Sequence, residues 1–260
     1  MSANPRIRVE VGGDATELAA LFAPEGGRGR AGEIVQRVSE AIHLGLLGDG
    51  EKLPNEVELA GQFGVAPMTV RDALATLRED GLVETRRGRS GGSFVKRPRA
   101  IPVGPLRQKL AAMTISDLRD LIDEHQAIAG HTARLAAERA SGVNVRRLFV
   151  LTEQLGAAQG VSEQVRADCR FHIELAIASQ SERLTRREVS LQAEVSGMLW
   201  LPPLSDADVE TAVDQHDAIS RAVAAEDGAE ASRLAQEHLA ANLRRLTALH
   251  LQLSEDGVPL

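Results

Sequence analysis

Apolar positions recur every three or four residues along most of this chain, and glycines and prolines separate the runs. Ile34, Val38, Ile42 and Leu46 mark a first helix over Gly32–Leu47, which Gly48-Asp49-Gly50 stops. Asn55 with Glu58 three residues on has the spacing of a capping box, so a second helix begins there and ends at Gly64. Pro67 suits the first position of a third. In that helix Val70, Leu74 and Leu77 fall on an inner face, while Met68, Arg71, Ala75 and Arg78 share the outer one. Gly81 ends it, and Leu82–Thr85 with Ser93–Lys96 read as two strands around a glycine-tipped basic loop. Helix, tight turn, helix and basic hairpin is the layout of a winged helix-turn-helix. Such a unit sets one helix face in the DNA major groove and lays a positive arm on the backbone.

Three prolines between Lys96 and Pro105 suggest a linker. Beyond it the helical period holds almost without interruption to about residue 252. The expected helices run over 116–140, 144–158, 162–179, 182–200, 206–226 and 228–252, with Gly142, Gly160, Pro202-Pro203 and Gly228 as breaks. No matching repeat motif links them, so one antiparallel bundle is the simplest arrangement. The expected fold is therefore mainly α, an N-terminal winged helix-turn-helix followed by a C-terminal all-α antiparallel bundle. The expected organisation is a loosely ordered extension over 1–30, the winged domain over 31–98, a linker over 99–112 and the helical domain over 113–252.

Composition supports this picture. Aromatic residues make up 2% and Tyr is absent, so the core must come from Leu, Ala, Val and Ile, which favours helix on helix. A net charge of −7 looks wrong for a DNA binder. Its distribution decides otherwise: Arg86, Arg87, Arg89, Lys96, Arg97 and Arg99 follow one another with no acid between them, and DNA responds to the local field. A single cysteine, Cys169, excludes an intramolecular disulfide and suits a reducing compartment. No apolar run nears the length of a membrane span and no signal-peptide pattern opens the chain, so a cytoplasmic protein with no membrane partner is expected.

Arg71 is the best base-reading candidate, because one guanidinium can grip guanine O6 and N7 together; the alternative is that it pairs with a nearby acid on a solvated face. Met68 and Thr69 stand beside it at the start of the same helix. Arg78, Arg86, Arg87 and Arg89, with Gly91 at the wing tip, are better placed for phosphates, which position a protein without reading sequence. In the bundle, Asp168 and His172 share one helix face with Val165, Leu175 and Ala176, so that face points inward. His216 lies among Val209, Val213, Ile219 and Val223, and His238 sits between Leu234 and Ala241. Each histidine alone reads more readily as a core residue bonded to backbone than as a ligand. Converging from different helices, the four would offer imidazoles and a carboxylate to a borderline divalent ion such as Zn²⁺ or Ni²⁺, or to Mn²⁺.

The segments LPNEVELAGQFGV, MTVRDAL and LREDGLVETRRGRSGGSFV closely resemble the GntR family of bacterial transcription regulators over about residues 32–97. The helical region resembles the FCD effector-binding domain of the FadR subfamily, in which D-x-x-F-H and a later histidine on each of two helices form a metal site. Asp168, Phe171 and His172 match the first motif, and the segment HDAISRAVAAEDGAEASRLAQEHL supplies His216 and His238. The resemblance implies a homodimeric, ligand-responsive regulator, a repressor, that binds a double-stranded operator, a divalent metal and a small carboxylate effector. A dedicated metal sensor and a metal-dependent enzyme are the competing functions. The chain departs from the family at three places. Ala66-Pro67 replaces the usual Ser-Arg, Val57 replaces an arginine, and the first bundle helix has His125 and Ala129 near the positions expected to carry an effector-binding Arg and a Glu. His125 is thus either an effector contact or a buried structural histidine.

Overall fold

The structure, a computed structural model, describes residues 31–255 apart from positions 89, 90, 99 and 102. The extension expected over 1–30 lies outside the described residues, as does Arg89. The chain divides between Arg97 and Pro98 into two compact units.

In the first unit, α1 (Ala31–His43), α2 (Glu56–Phe63) and α3 (Pro67–Glu79) precede strands β1 (Val83–Arg86) and β2 (Gly92–Val95). The inner-face residues Ile34, Val38, Ile42, Leu59, Phe63, Val70, Leu74 and Leu77 are all buried, so α1 and α2 both pack on α3. The start of α2 is held as its spacing requires. The Asn55 side-chain oxygen accepts from the Val57 and Glu58 N–H groups, both at 3.0 Å, and Glu58 accepts from the Asn55 N–H at 2.8 Å. Gly64 ends α2 at φ 67°, a left-handed conformation that glycine adopts without penalty, and this makes the tight turn into α3. The first helix stops short of the expected Leu47, at His43, although Leu44, Leu46 and Leu47 remain buried.

The strands sit one residue away from their expected bounds. Leu82 closes the end of α3 by donating its N–H to the Leu77 carbonyl at 2.9 Å, so pairing begins at Val83, opposite Val95. Both valines are buried, which holds the register. The segment at 50–53 adds to the far edge of β2, with Gly50 donating to Val95, Leu53 donating to Ser93, and Lys52 bridging Phe94.

The second unit is helical throughout its described length. It comprises α4 (Val103–Ala112), α5 (Ile115–Arg139), α6 (Gly142–Gly156), α7 (Val161–Ala178), α8 (Glu182–Leu199), α9 (Asp206–Ala224) and α10 (Gly228–Glu255). Capping boxes open three of them, from Thr114 with Asp117, Ser141 with Asn144 and Ser205 with Asp208. The long helices α5 and α10 lie against each other, and α7 is packed between α5, α6 and α8. The core uses small and aliphatic residues, Ala133, Ala136, Leu148, Leu175, Ile219 and Ala235 among them, around the ring of Phe171. One expectation needs correction. Part of the segment read as a linker over 99–112 is α4, which packs on α8 and α10 and buries Leu110 completely.

Candidate metal centre and DNA-reading face

Asp168 and His172 project from one face of α7, His216 comes from α9 and His238 from α10. One ligand atom from each lies within 4.8 Å of all the others, and all four residues are buried. Asp168 Oδ1 is 3.5 Å from His216 Nε2 and 3.8 Å from His172 Nε2. The rings hold one another in place. Phe171 stacks on His216 at 3.8 Å between centroids, and His238 lies 4.9 Å from His216 and 5.1 Å from His172.

Burial keeps the three imidazoles of this cluster in the state a metal requires. Burial pushes the imidazole of His172 down to about 4 and that of His238 to about 3, and it holds His216 well below its ordinary value. The imidazoles are therefore neutral, with lone pairs available. Burial raises the Asp168 carboxyl, against the pull of His238 and of the Trp200 indole. Among the described residues, Asp168 Oδ2, His172 Nε2 and both ring nitrogens of His216 are buried without any hydrogen-bond partner. Orphaned polar atoms are costly in a protein interior, and these share one point in space. The donor set fits a divalent cation.

His238 differs because its tautomer is assigned by its neighbours. Its Nδ1 lies 2.7 Å from Gln215 Oε1, which can only accept, so Nδ1 carries the proton and Nε2 keeps the lone pair. Asn242 stands 3.2 Å from that Nε2.

His125 is buried, with Nε2 at 2.9 Å from Glu188 Oε1 and its ring 6.0 Å from that of His172. Gln192 donates to the same carboxylate oxygen at 2.9 Å. Burial alone would raise the Glu188 carboxyl, but His125, His172 and Gln192 together hold it below its ordinary range. Ala129, one turn on from His125, is buried and brings no polar group. Sequence reasoning missed Glu188 and Gln192 entirely. It also missed Arg245, which with Trp200 lines a cavity of about 280 Å³ that reaches Asp168 and His238. Cys169 is buried beside the cluster, and its thiol is raised far above the ordinary range by burial and by Asp168.

On α3, Arg71 and Arg78 are exposed, Met68 is 59% exposed and Thr69 is half-buried. Arg71 is already engaged. Its Nη2 and Nε donate to Glu56 at 2.7 and 3.1 Å, a partner the sequence did not single out. Val57, the next residue, is 71% exposed. In the wing, Arg86 lies over the Phe94 ring at 4.3 Å and bonds Glu84 at 2.7 Å, whereas Arg87 is exposed. Gly91 allows a close approach, because a Cβ there would stand 2.5 Å from the Arg86 carbonyl oxygen.

Comparisons with known proteins agree with this architecture. Residues 30–95 match the family of bacterial regulatory proteins named gntR, and residues 117–241 match the FCD domain. The chain is 45% identical over 226 residues to the HTH-type transcriptional regulator RmpR of Mycobacterium gastri, covering 86% of this chain and 82% of that one. It is 31% identical over 212 residues to the HTH-type transcriptional regulator LutR of Bacillus subtilis, covering 76% and 92%. Among solved structures, E. coli McbR/YncC shares the fold, with a TM-score of 0.51 at 17% identity over 84% of this chain and 97% of that one. RmpR and LutR are both named as regulators of transcription. The chain belongs to the gntR family of bacterial regulatory proteins and carries an FCD domain behind its DNA-binding unit.

Proposed function

We propose that this regulator is a homodimeric repressor whose FCD domain holds a divalent ion, Zn²⁺, Ni²⁺ or Mn²⁺, on Asp168, His172, His216 and His238 and uses it to bind a small organic acid. The observation that carries this reading is the convergence of those four groups within 4.8 Å, with buried polar atoms that no partner among the described residues satisfies. An ion bound there would supply a positive, Lewis-acidic anchor for a carboxylate oxygen. Gln215 holds the ring of His238, Phe171 holds that of His216, and the buried helix faces exclude water. Acid binding would change the separation of paired recognition helices, and half-sites on a duplex demand a fixed spacing.

On the DNA side, Arg71 is assigned to base reading, with Met68 and Thr69 beside it. Arg78, Arg86, Arg87, Arg89 and Gly91 are assigned to the phosphate backbone. With Val57 and Ala66-Pro67 in place of charged or hydroxyl groups, the operator departs from the family's usual half-site. Selection from random DNA is expected to return a changed half-site, and the usual one unaltered would contradict this.

The decisive experiment is a metal titration into metal-free protein bound to labelled operator, with and without candidate acids. Release that needs both metal and acid supports the reading. Release by metal alone favours a dedicated metal sensor, and no metal binding at all overturns the assignment.

A further inference from the structure

The sequence offered no arginine near His125 and Ala129 to receive an acidic effector. The last helix carries one. His238, Asn242 and Arg245 stand at i, i+4 and i+7 on α10, so they share a face. That face borders the cavity of about 280 Å³ together with Trp200, Gln215 and Asp168. We propose that Arg245, beside Trp200, is the group that recognises a carboxylate of the effector in the cavity opening onto Asp168 and His238. The proposal rests on the reading of the bundle as an effector-binding domain.

Three observations converge on it. First, the Arg245 guanidinium is half-buried, 5.6 Å from the centroid of the Trp200 ring, and no carboxylate among the described residues lies within ion-pair distance of it. Second, the acids that border the cavity are committed elsewhere. Asp208 accepts from the Ser205 N–H at 2.8 Å and from its hydroxyl at 2.7 Å, closing the α9 cap, and Asp168 faces His172 and His216. Third, burial lowers the pKa of Arg245, with Asp168 and Asp208 opposing at longer range. A guanidinium kept partly from water and placed over an indole, without a carboxylate of its own among the described residues, is a fork waiting for a planar two-oxygen anion. The cavity is small for a ligand site, which selects a compact acid over a nucleotide or an acyl carrier. Its opening onto the metal-ligand set lets one small molecule meet both the arginine and the ion.

Trp200 is the only tryptophan of the chain, so its emission reports on this cavity alone. The zinc-loaded full-length protein is titrated with lactate, pyruvate, citrate and, as a neutral match, lactamide. At least one acid is expected to change the Trp200 emission saturably, and lactamide is not. Arg245→Lys is expected to weaken that acid by roughly thirtyfold or more and Arg245→Met to abolish its response. Zinc affinity, read by competition with a chelating dye, is expected to stay as in the parent in both variants. Acid binding unchanged in Arg245→Met overturns the proposal, as does the absence of a response to every acid of the panel. If the parent binds no zinc, it is the metal assignment that fails. The same acid titration on the metal-free protein and its Arg245 variants then decides this proposal by itself.

Discussion

On α3, Arg71 gives two of its N–H groups to Glu56, whereas Arg87 stands exposed in the wing with no such tie among the described residues. A tethered guanidinium is oriented before DNA arrives, and a loose one follows the nearest phosphate. Arg71→Ala is therefore expected to weaken the preferred operator by about 1–3 kcal/mol and to relax the preference at one base pair. Arg87→Ala should weaken all sequences alike and lower the salt slope by about 1. Anisotropy titrations on selected and scrambled duplexes at several salt concentrations separate the two. A second residue-scale expectation concerns Gln215, whose oxygen keeps the proton on His238 Nδ1. Gln215→Leu should leave the fold intact by circular dichroism and reduce metal affinity roughly 10–100-fold in a chelator competition.

Among the elements, helix starts were legible because capping is written in short, local patterns. Asn55 with Glu58 marked α2, and the bundle helices begin within about two residues of the bounds that periodicity suggested. The helix α4 was not legible, because the prolines around it dominate the local pattern and its burial depends on α8 and α10, which are far away in sequence. Leu110→Ala tests its standing. Loss of about 2–5 kcal/mol in urea unfolding is expected for a core leucine, whereas a linker residue would cost a few tenths. Site residues divide the same way. The metal-ligand candidates could be named because D-x-x-F-H at Asp168–His172 and the later His216 and His238 resemble the FCD pattern; the apolar stripe under each histidine alone would have suggested a core residue. Glu188 sits in the polar run Thr185-Arg186-Arg187-Glu188, and Arg245 follows another arginine, so both look like surface until the neighbouring helices are in place.

For the whole molecule, a net charge of −7 coexists with a wing dense in arginine, so the average charge says little about the field a duplex meets there. Among the described residues no helix is long and apolar enough to cross a membrane. Metal should stabilise the helical unit by mass action, by about 2.7 kcal/mol when free ion is a hundredfold above its dissociation constant. Thermal melts with zinc and with a chelator should differ accordingly in the parent and coincide in His216→Ala.

The unsatisfied atoms of Asp168, His172 and His216 also bear on how long each molecule lasts. A bundle that closes around unbonded polar groups opens more often, and the opened chain is what cellular proteases cut. Under the proposed metal assignment, ion supply thus governs the number of regulator molecules present as well as their hold on DNA. A cell starved of the ion would lose the regulator by degradation, and recovery would wait on new synthesis, not on rebinding.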